Sequence, residues 1–253
     1  RAGQRLTGPN LTALECVTHA TGHRVAIAQR SVVRPDPAGT TLELFVVAGT
    51  GALDDAAGRA EAAARKGFDA LHDEHRAAWR RLEEQTAVEF DGDAATVQGF
   101  RFGQMHLRMA LGDAAAATGV PIKGLTGHGY RFCNFWDTDF HMFPYYLLTQ
   151  PRRARGLLEY RYRQLDAYRA NARLYGCQGA QVPWETQADG AECTAPWLCL
   201  QDREIHISAD AARMFWLYDE LTGDASALEE MGAEFAFETA RFYASRARPA
   251  EAG

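Results

Sequence analysis

Apolar and polar residues alternate along the first fifty positions of the chain, and the spacing then becomes helical. Residues 24–28 and 41–47 are rich in β-branched residues, and residues 34–39 between them contain the Pro, Asp and Gly of a turn. This pattern predicts two or three β-strands. Because so few strands make only a marginal sheet, residues 1–50 are interpreted as the end of a larger β-sandwich whose earlier strands are absent.

Helical periodicity begins near residue 54. Residues 54–86 repeat apolar side chains at steps of three and four, which predicts one helix with one apolar stripe. Residues 94–117 predict a second helix with apolar residues all round, as expected of a helix buried on several sides. The stripe comprises Phe68, Leu71, His72, His75, Trp79 and Leu82; the apolar body of the second helix comprises Phe100, Met105, Leu107, Met109 and Leu111.

Long loops separate the helices predicted in the rest of the chain. Ordered loops of this length are uncommon in compact domains and are usually functional. A mainly α fold made of helix–loop–helix pairs favours an α/α barrel. The predicted helices span 137–149, 152–175, 208–222 and 226–246, and the loops span 119–136 and 177–203.

Two local features complete the prediction for these helices. Ser208 is interpreted as an N-cap, with Asp210 in the first turn of the helix that follows. The seven arginines between 152 and 173 are interpreted as a solvated helix face with i,i+4 partners such as Glu159 and Asp166.

Composition limits the class of function. The chain has 253 residues, 47% of them hydrophobic, which is enough for a core in one domain or two. Its net charge is −6 and it has no basic block, which argues against a nucleic-acid partner. With no long apolar run and no signal-peptide core at the N-terminus, no membrane partner and a cytoplasmic location are expected. The five cysteines include no C-x-x-C pair, which favours reduced, buried thiols and no metal site.

Aromatic or polar residues lie beside carboxylates at three places in the loops. A sugar site needs this combination, because aromatic faces stack on a pyranose ring and carboxylates accept its hydroxyl hydrogens or protonate a glycosidic oxygen. Core packing is the commoner role of a single Trp, but repetition in two loops favours binding. The pairs are Trp136–Asp137, Trp184–Glu185 and Glu204–His206.

Four motifs, in order and together, resemble the core of glycoside hydrolase family 65. The resemblance covers roughly residues 55–245. It implies a partial (α/α)6 barrel, the first half of the catalytic domain, in 94–253, preceded by a helical linker in 51–93 and a β-sandwich remnant in 1–50. The motifs are Lys123-Gly124-Leu125-Thr126-Gly127, Phe135-Trp136-Asp137-Thr138, Pro183-Trp184-Glu185 and Glu204-Ile205-His206-Ile207-Ser208-Ala209-Asp210.

The resemblance also implies a reaction. It places the family's proton donor at Glu204, in an inverting disaccharide phosphorylase that uses inorganic phosphate as co-substrate and needs no cofactor. Apolar flanks favour a protonated Glu204, whereas Arg203 and a helix N-terminus favour the ionised form, and a Glu that merely caps the helix is the alternative. The substrate-binding residues implied are Trp136, Asp137, Trp184, Glu185, His128 and Arg131.

Other functions stay open at this point. The family's phosphate site lies C-terminal to Glu204, so an inverting hydrolase of the same family or a non-catalytic carbohydrate-binding fragment fits the same residues. Many family members have Glu at the position of His128 and His at that of Cys133. These departures affect the acceptor sugar or the linkage, unless they are neutral drift in a loop.

The expected partner is a disaccharide or oligosaccharide. A half barrel is expected to expose apolar helix faces, so a homodimer or a second chain that completes the barrel is also expected, and the chain alone is expected to aggregate and to be inactive. The exposed face predicted is Ile207, Ala211, Met214, Phe215 and Tyr218.

Overall fold

The computed structural model describes residues 2–19, 22–112, 119–124, 127 and 129–247. The chain forms two compact units, Arg1–Ala87 and Val88–Gly253. The first combines a sheet with two helices, and the second is helical. The chain is therefore mainly α, as predicted, and it contains one four-stranded sheet. The partial (α/α)6 barrel and the three-part division at residues 50 and 93 stay predictions.

The sheet of the first unit is antiparallel, with its strands in sequence order. It has four strands, where the sequence predicted two or three. The first two were harder to recognise because Thr and Glu residues interrupt their apolar positions and only Pro9 and Asn10 separate them. The strands are β1 Ala2–Gly8, β2 Leu11–Val17, β3 Arg24–Asp36 and β4 Gly39–Gly49.

Two helices follow the sheet, α1 Leu53–Lys66 and α2 Phe68–Gln85. The prediction of one continuous helix over 54–86 is wrong. Gly67 has φ 84° and ψ 160°, outside the helical region, and this conformation is inexpensive only for glycine. The predicted stripe on α2 is also wrong as a buried face, because none of the residues of this helix is buried and Phe68 is 58% exposed.

Helix α1 and the sheet share a small core made largely of alanine. The small side chains let the helix backbone approach the strands closely, and burying them removes apolar surface from water. The buried residues are Leu53, Ala56, Ala57 and Ala60 of α1 and Ala13, Ala26 and Ala28 of the sheet.

The second unit contains six helices among the residues described. Two of them are preceded by a π-helical turn, Asp137–Met142 and Leu228–Gly232. No helix in the described ranges is both long and apolar enough to cross a membrane. The helices are α3 Ala94–Ala110, α4 Phe143–Thr149, α5 Pro151–Arg163, α6 Leu165–Leu174, α7 Ile207–Thr222 and α8 Ala233–Arg246.

Three predictions for these helices need correction. The single helix predicted over 152–175 is interrupted at Gln164, whose φ of −91° and ψ of 3° separate α5 from α6. Helix α3 ends at Ala110, although it was predicted to reach 117; residues 113–118 lie outside the described ranges. It is also buried on one side only, because Phe102 is 60% exposed whereas Gln104 and Arg108 point inward.

The predicted exposure of the α7 face is wrong. Its residues are buried in a core that α4, α5 and the turn before α8 complete, so the described part of the unit closes on itself around α7. Exposed apolar side chains in the described part of the unit lie on α3 and on the outer faces of α7 and α8, and also at Leu148, Leu174 and Trp197. The buried α7 residues are Ile207, Ala211, Met214, Phe215 and Tyr218, and the exposed residues include Phe100, Met105, Met109, Trp216 and Phe237.

One arginine of the predicted solvated face lies inside this unit. Arg161 is fully buried, and its guanidinium donates to Asp139 from Nε at 3.0 Å and from Nη2 at 2.5 Å. Its Nη1 donates to the hydroxyls of Tyr168 at 3.0 Å and Thr186 at 3.3 Å. The sequence could not distinguish Arg161 from its neighbours on the helix, because its partner Asp139 is 22 residues away.

Replacing Arg161 by Met should destabilise the protein strongly. The substitution leaves the Asp139 carboxylate buried without a cation, which costs about 3–5 kcal/mol of unfolding free energy. Arg152→Met, an exposed position near the start of the same helix, should change stability by less than about 0.5 kcal/mol. Urea denaturation measures both. Equal losses in the two variants would contradict a structural role for the buried pair.

Candidate active site

The two Trp–acid motifs lie side by side because their loops pair through the backbone. The Asn134 N–H donates to the Thr186 carbonyl at 2.8 Å, and the Thr186 N–H donates back to the Asn134 carbonyl at 2.9 Å. The Phe135 and Trp184 rings meet edge to face with centroids 5.3 Å apart. The bridge therefore fixes the position of Trp136–Asp137 relative to Trp184–Glu185, although about fifty residues separate them.

A second group, called here the acid cluster, comprises Trp136, Glu204, His206 and Asp210. His206 lies between the two carboxylates: its Nε2 is 3.4 Å from Glu204 Oε2 and its Nδ1 is 2.7 Å from Asp210 Oδ2. Its ring stands at 88° to the Trp136 indole, with centroids 4.8 Å apart. The side chain of Glu204 is 37% exposed and that of His206 is 43% exposed. The cluster is thus accessible to a ligand on one side and supported by an aromatic wall on the other.

The hydrogen bond to Asp210 sets the roles of the two ring nitrogens of His206. An ionised carboxylate only accepts hydrogen bonds, so the Nδ1 of His206 is the donor in that contact. In the neutral ring Nε2 then carries a lone pair that faces Glu204 and suits a protonated Glu204 carboxyl; in the charged ring it donates to the carboxylate.

Two hydrogen bonds hold the backbone that follows Glu204. Tyr243 donates its hydroxyl to the Ile205 carbonyl at 2.6 Å. The N-cap prediction for Ser208 is wrong, because α7 begins at Ile207 and Ser208 is buried inside its first turn. Its hydroxyl instead accepts the Val182 N–H at 3.0 Å, which fastens the Trp184 loop to the start of α7. Asp210 does lie in the first turn, as predicted.

A third group, the loop cluster, comprises Arg131, Cys133, Glu185 and Cys193. The side chain of Glu185 is only 4% exposed and forms an ion pair with Arg131, which also donates to the Cys193 carbonyl at 2.7 Å. Arg131 sits in a left-handed turn with φ 53°, and Tyr130 and Phe132 on either side have φ values of 55° and 61°. Such backbone is costly for residues other than glycine and persists where surrounding contacts impose it.

The structure brings together some of the predicted site residues. Trp136 contacts the ring of His206, which in turn contacts Glu204, and Arg131 forms an ion pair with Glu185. Trp136, Asp137 and Trp184 are all half-buried, and the two indoles pack at the edge of the helical core. His128 lies outside the described residues. The roles of these residues in catalysis and binding stay predictions.

Some contacts of the site escaped the sequence analysis. The pairing of His206 with Asp210 could have been found, because i,i+4 residues lie on one face of a helix. The contact between Cys133 and Cys193 had no local signal, because 60 residues separate the two positions.

Residues 101–252 match the glycosyl hydrolase family 65 central catalytic domain, which is more than half of the chain. The chain belongs to glycosyl hydrolase family 65. This confirms the resemblance inferred from the four motifs. The chain also resembles a solved structure named as a kojibiose phosphorylase from the human microbiome, with a TM-score of 0.80 and 20% identity over 98% of this chain and 37% of the other.

Relatives of this chain carry the names of two different reactions. A kojibiose phosphorylase of Caldanaerobacter subterraneus subsp. tengcongensis is 38% identical over 191 residues, 72% of this chain and 25% of the relative. An α,α-trehalose phosphorylase of Thermoanaerobacter brockii is 38% identical over 183 residues, which are 72% of this chain and 23% of the relative. A kojibiose hydrolase of Flavobacterium johnsoniae is 37% identical over 191 residues, which are 76% of this chain and 28% of the relative. The chain thus spans about a quarter of the length of these family 65 relatives.

The ion pair of the loop cluster predicts an asymmetry between two variants. Arg131→Gln should lower the Tm more than Glu185→Gln, because the first leaves a buried carboxylate without its cation, whereas the second removes the buried charge and leaves Arg131 partly solvated. Differential scanning calorimetry of both variants measures the order. Arg152→Gln, at an exposed position, is the control. The opposite order would show that Glu185 is not held as a buried charge.

Proposed function

We propose that this chain carries the general acid and the glucosyl subsite of an inverting disaccharide phosphorylase. The observation that supports it best is the acid cluster: a half-exposed Glu204 linked to His206 and Asp210 beside the Trp136 indole, in a member of family 65. An aromatic wall and a carboxyl that can hold a proton are what protonation of a glycosidic oxygen requires.

In the proposed reaction inorganic phosphate attacks the anomeric carbon from the face opposite the leaving oxygen. The bond from carbon to the leaving oxygen breaks, and Glu204 donates its proton to that oxygen, giving β-glucose 1-phosphate and a free sugar. Phosphate is already an anionic nucleophile, so no second carboxylate is needed to activate it. The reaction uses no resident cofactor, and the substrate is an α-linked disaccharide or oligosaccharide.

His206 and Asp210 complete the acid in this proposal. Once Glu204 has given up its proton, the His206 ring can take a proton from solvent on Nε2 and donate it in a hydrogen bond to the resulting carboxylate, while Asp210 holds Nδ1–H. The pair thereby stabilises the charge that the reaction leaves on Glu204. This arrangement allows the acid to act without deep burial, since a side chain that is 37% exposed remains in contact with solvent.

The subsite roles follow from exposure and contacts. Trp136 and Trp184 are half-buried, so each can offer the exposed part of its indole to a pyranose while the rest stays anchored in the core. Asp137 precedes the buried Asp139 on the same turn. Its proposed role is to accept hydrogen bonds from sugar hydroxyls. Arg131 is partly exposed whereas Glu185 is buried, so Arg131 contacts the sugar and Glu185 positions it. His128 is proposed to face the acceptor sugar.

An inverting α-glucoside hydrolase is the second candidate. The kojibiose hydrolase of Flavobacterium johnsoniae, 37% identical to this chain, favours it. The hydrolase would need a second carboxylate, set back about 6.5–9.5 Å from Glu204, to activate a water molecule. Both candidates use Glu204 as the acid and differ only in the nucleophile.

Glu204→Gln tests the acid. In the protein encoded by the complete reading frame, the variant should lose about 10²–10⁴-fold in kcat on an unactivated disaccharide, because the leaving oxygen then departs without its proton. The loss should be much smaller on an α-glucosyl fluoride, since fluoride leaves without protonation. Glu229→Gln, at an exposed position, is the matched control. Equal losses on both substrates would contradict the assignment.

Phosphate dependence separates the two candidate reactions. The wild-type protein is given kojibiose, trehalose, maltose or nigerose, with and without inorganic phosphate, and the products are separated by anion-exchange chromatography. The proposal expects glucose 1-phosphate that forms only when phosphate is present. Release of free glucose from both halves of the disaccharide at a rate independent of phosphate would establish the hydrolase instead.

A further inference from the structure

Two cysteines of the loop cluster lie in direct contact. The Sγ atoms of Cys133 and Cys193 are 2.7 Å apart, and Cys193 Sγ also donates to the Glu185 carbonyl at 3.3 Å. All five cysteines of the chain are free thiols. Among the described residues, the sulfur atoms of the other three, Cys16, Cys177 and Cys199, make no such contact with another thiol. The pair joins the left-handed turn of Arg131 to the segment after Glu185.

A shared metal ion is the first alternative, because Cys133, Cys193 and Glu185 place three potential ligand atoms within 4.8 Å of one another. Two thiolate sulfurs that bind the same zinc ion at the usual Zn–S length in a tetrahedral site lie about 3.8 Å apart. The distance between the Sγ atoms of Cys133 and Cys193 is well below that value. The Glu185 carboxylate is also already engaged by Arg131. The geometry therefore suits a direct bond between the sulfurs better than a metal between them.

We propose that Cys133 and Cys193 are a thiol pair that a small disulfide oxidant, such as glutathione disulfide, converts into an intramolecular disulfide. One cysteine sulfur attacks the oxidant and releases one thiol; the second cysteine sulfur then attacks the mixed disulfide and releases the other. The two cysteines lose two protons and two electrons, and the oxidant is reduced to two thiols, so the exchange balances. A thiol reductant reverses it.

The surroundings of the pair allow this exchange. A cavity of about 260 Å³ adjoins both cysteines; its walls are Arg131, Phe132, Cys133, Gln187, Ala188 and Cys193. Burial, followed by the hydrogen bond with Cys133, raises the pKa of the Cys193 thiol well above its usual range. Because the thiolate is the nucleophile, oxidation should be slow at neutral pH and faster as the pH rises.

The disulfide would fix the substrate loop in place. It would link Cys133, which lies three residues before Trp136 in the strained turn after Arg131, to the segment that begins at Glu185, and it would close a chain segment of about sixty residues. Such a cross-link restricts the unfolded state more than the folded one. Oxidation should therefore raise the Tm by a few degrees, and reduction should restore the original value.

The test uses the protein encoded by the complete reading frame. It is incubated with glutathione disulfide at pH 7 and at pH 9, and its free thiols are alkylated before unreduced peptide mapping. The expected result is a Cys133–Cys193 cross-linked peptide, with the Tm rise, that forms faster at pH 9. Cys133→Ser and Cys193→Ser should abolish both effects. Cys199→Ser, at an exposed cysteine, should keep them.

Three results would overturn the proposal. The first is stable glutathione adducts on Cys133 or Cys193 in place of the cross-link, and the second is complete alkylation of both cysteines after oxidation. These readouts use the wild-type protein, so they hold even if a serine variant fails to fold. The third is binding of one zinc ion per chain that protects both thiols from alkylation, which would identify the group as a metal site.

Discussion

The buried ion pair between Arg161 and Asp139 is the constraint on which the arrangement of the second unit depends. A guanidinium and a carboxylate out of contact with water are tolerated only when each finds nearly all of its hydrogen-bond partners in the protein. Arg161 does so by joining α5 to the π turn at Asp139, to Tyr168 of α6 and to Thr186 of the second Trp–acid loop. The hydrogen-bond requirement of one side chain thus fixes four segments at once.

The position of the site follows from that network. Thr186 contacts Arg161 through its hydroxyl and pairs with Asn134 through its backbone, so the loop after Phe132 is tied to the same point. Trp136 lies two residues after the paired Asn134, and the π turn that follows Trp136 carries Asp139. The aromatic walls of the proposed subsite therefore belong to loops whose bases are anchored in the core, which limits the motion of their side chains even though the loops lie at the surface.

The sequence allowed the prediction of elements and motifs, but few of the contacts between them. The helices beginning near 54, 94, 137, 208 and 226 were recognised from periodicity, and the family from four motifs. The errors came where tertiary context decides. Gly67 and Gln164 interrupt helices whose apolar periodicity continues across them, and the Ser208 hydroxyl accepts the Val182 N–H instead of capping α7. The α7 face was expected to be open and is buried, because α5 and α8 already cover it. Pairs such as Arg161–Asp139 and Cys133–Cys193 depend on distances in the fold that no local pattern encodes.

The acid cluster changes the explanation of how Glu204 could hold a proton. The apolar residues around it in the sequence suggested a carboxyl kept neutral by burial. In the structure its side chain remains partly exposed, and its neighbours are the ring of His206 and, through that ring, Asp210. Asp210 accepts the Nδ1–H of the ring, so Nε2 is the ring nitrogen that faces Glu204. The orientation of the His206 ring beside Glu204 then depends on the position of Asp210 on the first turn of α7, and that turn is held in place by Ser208 and the buried face behind it.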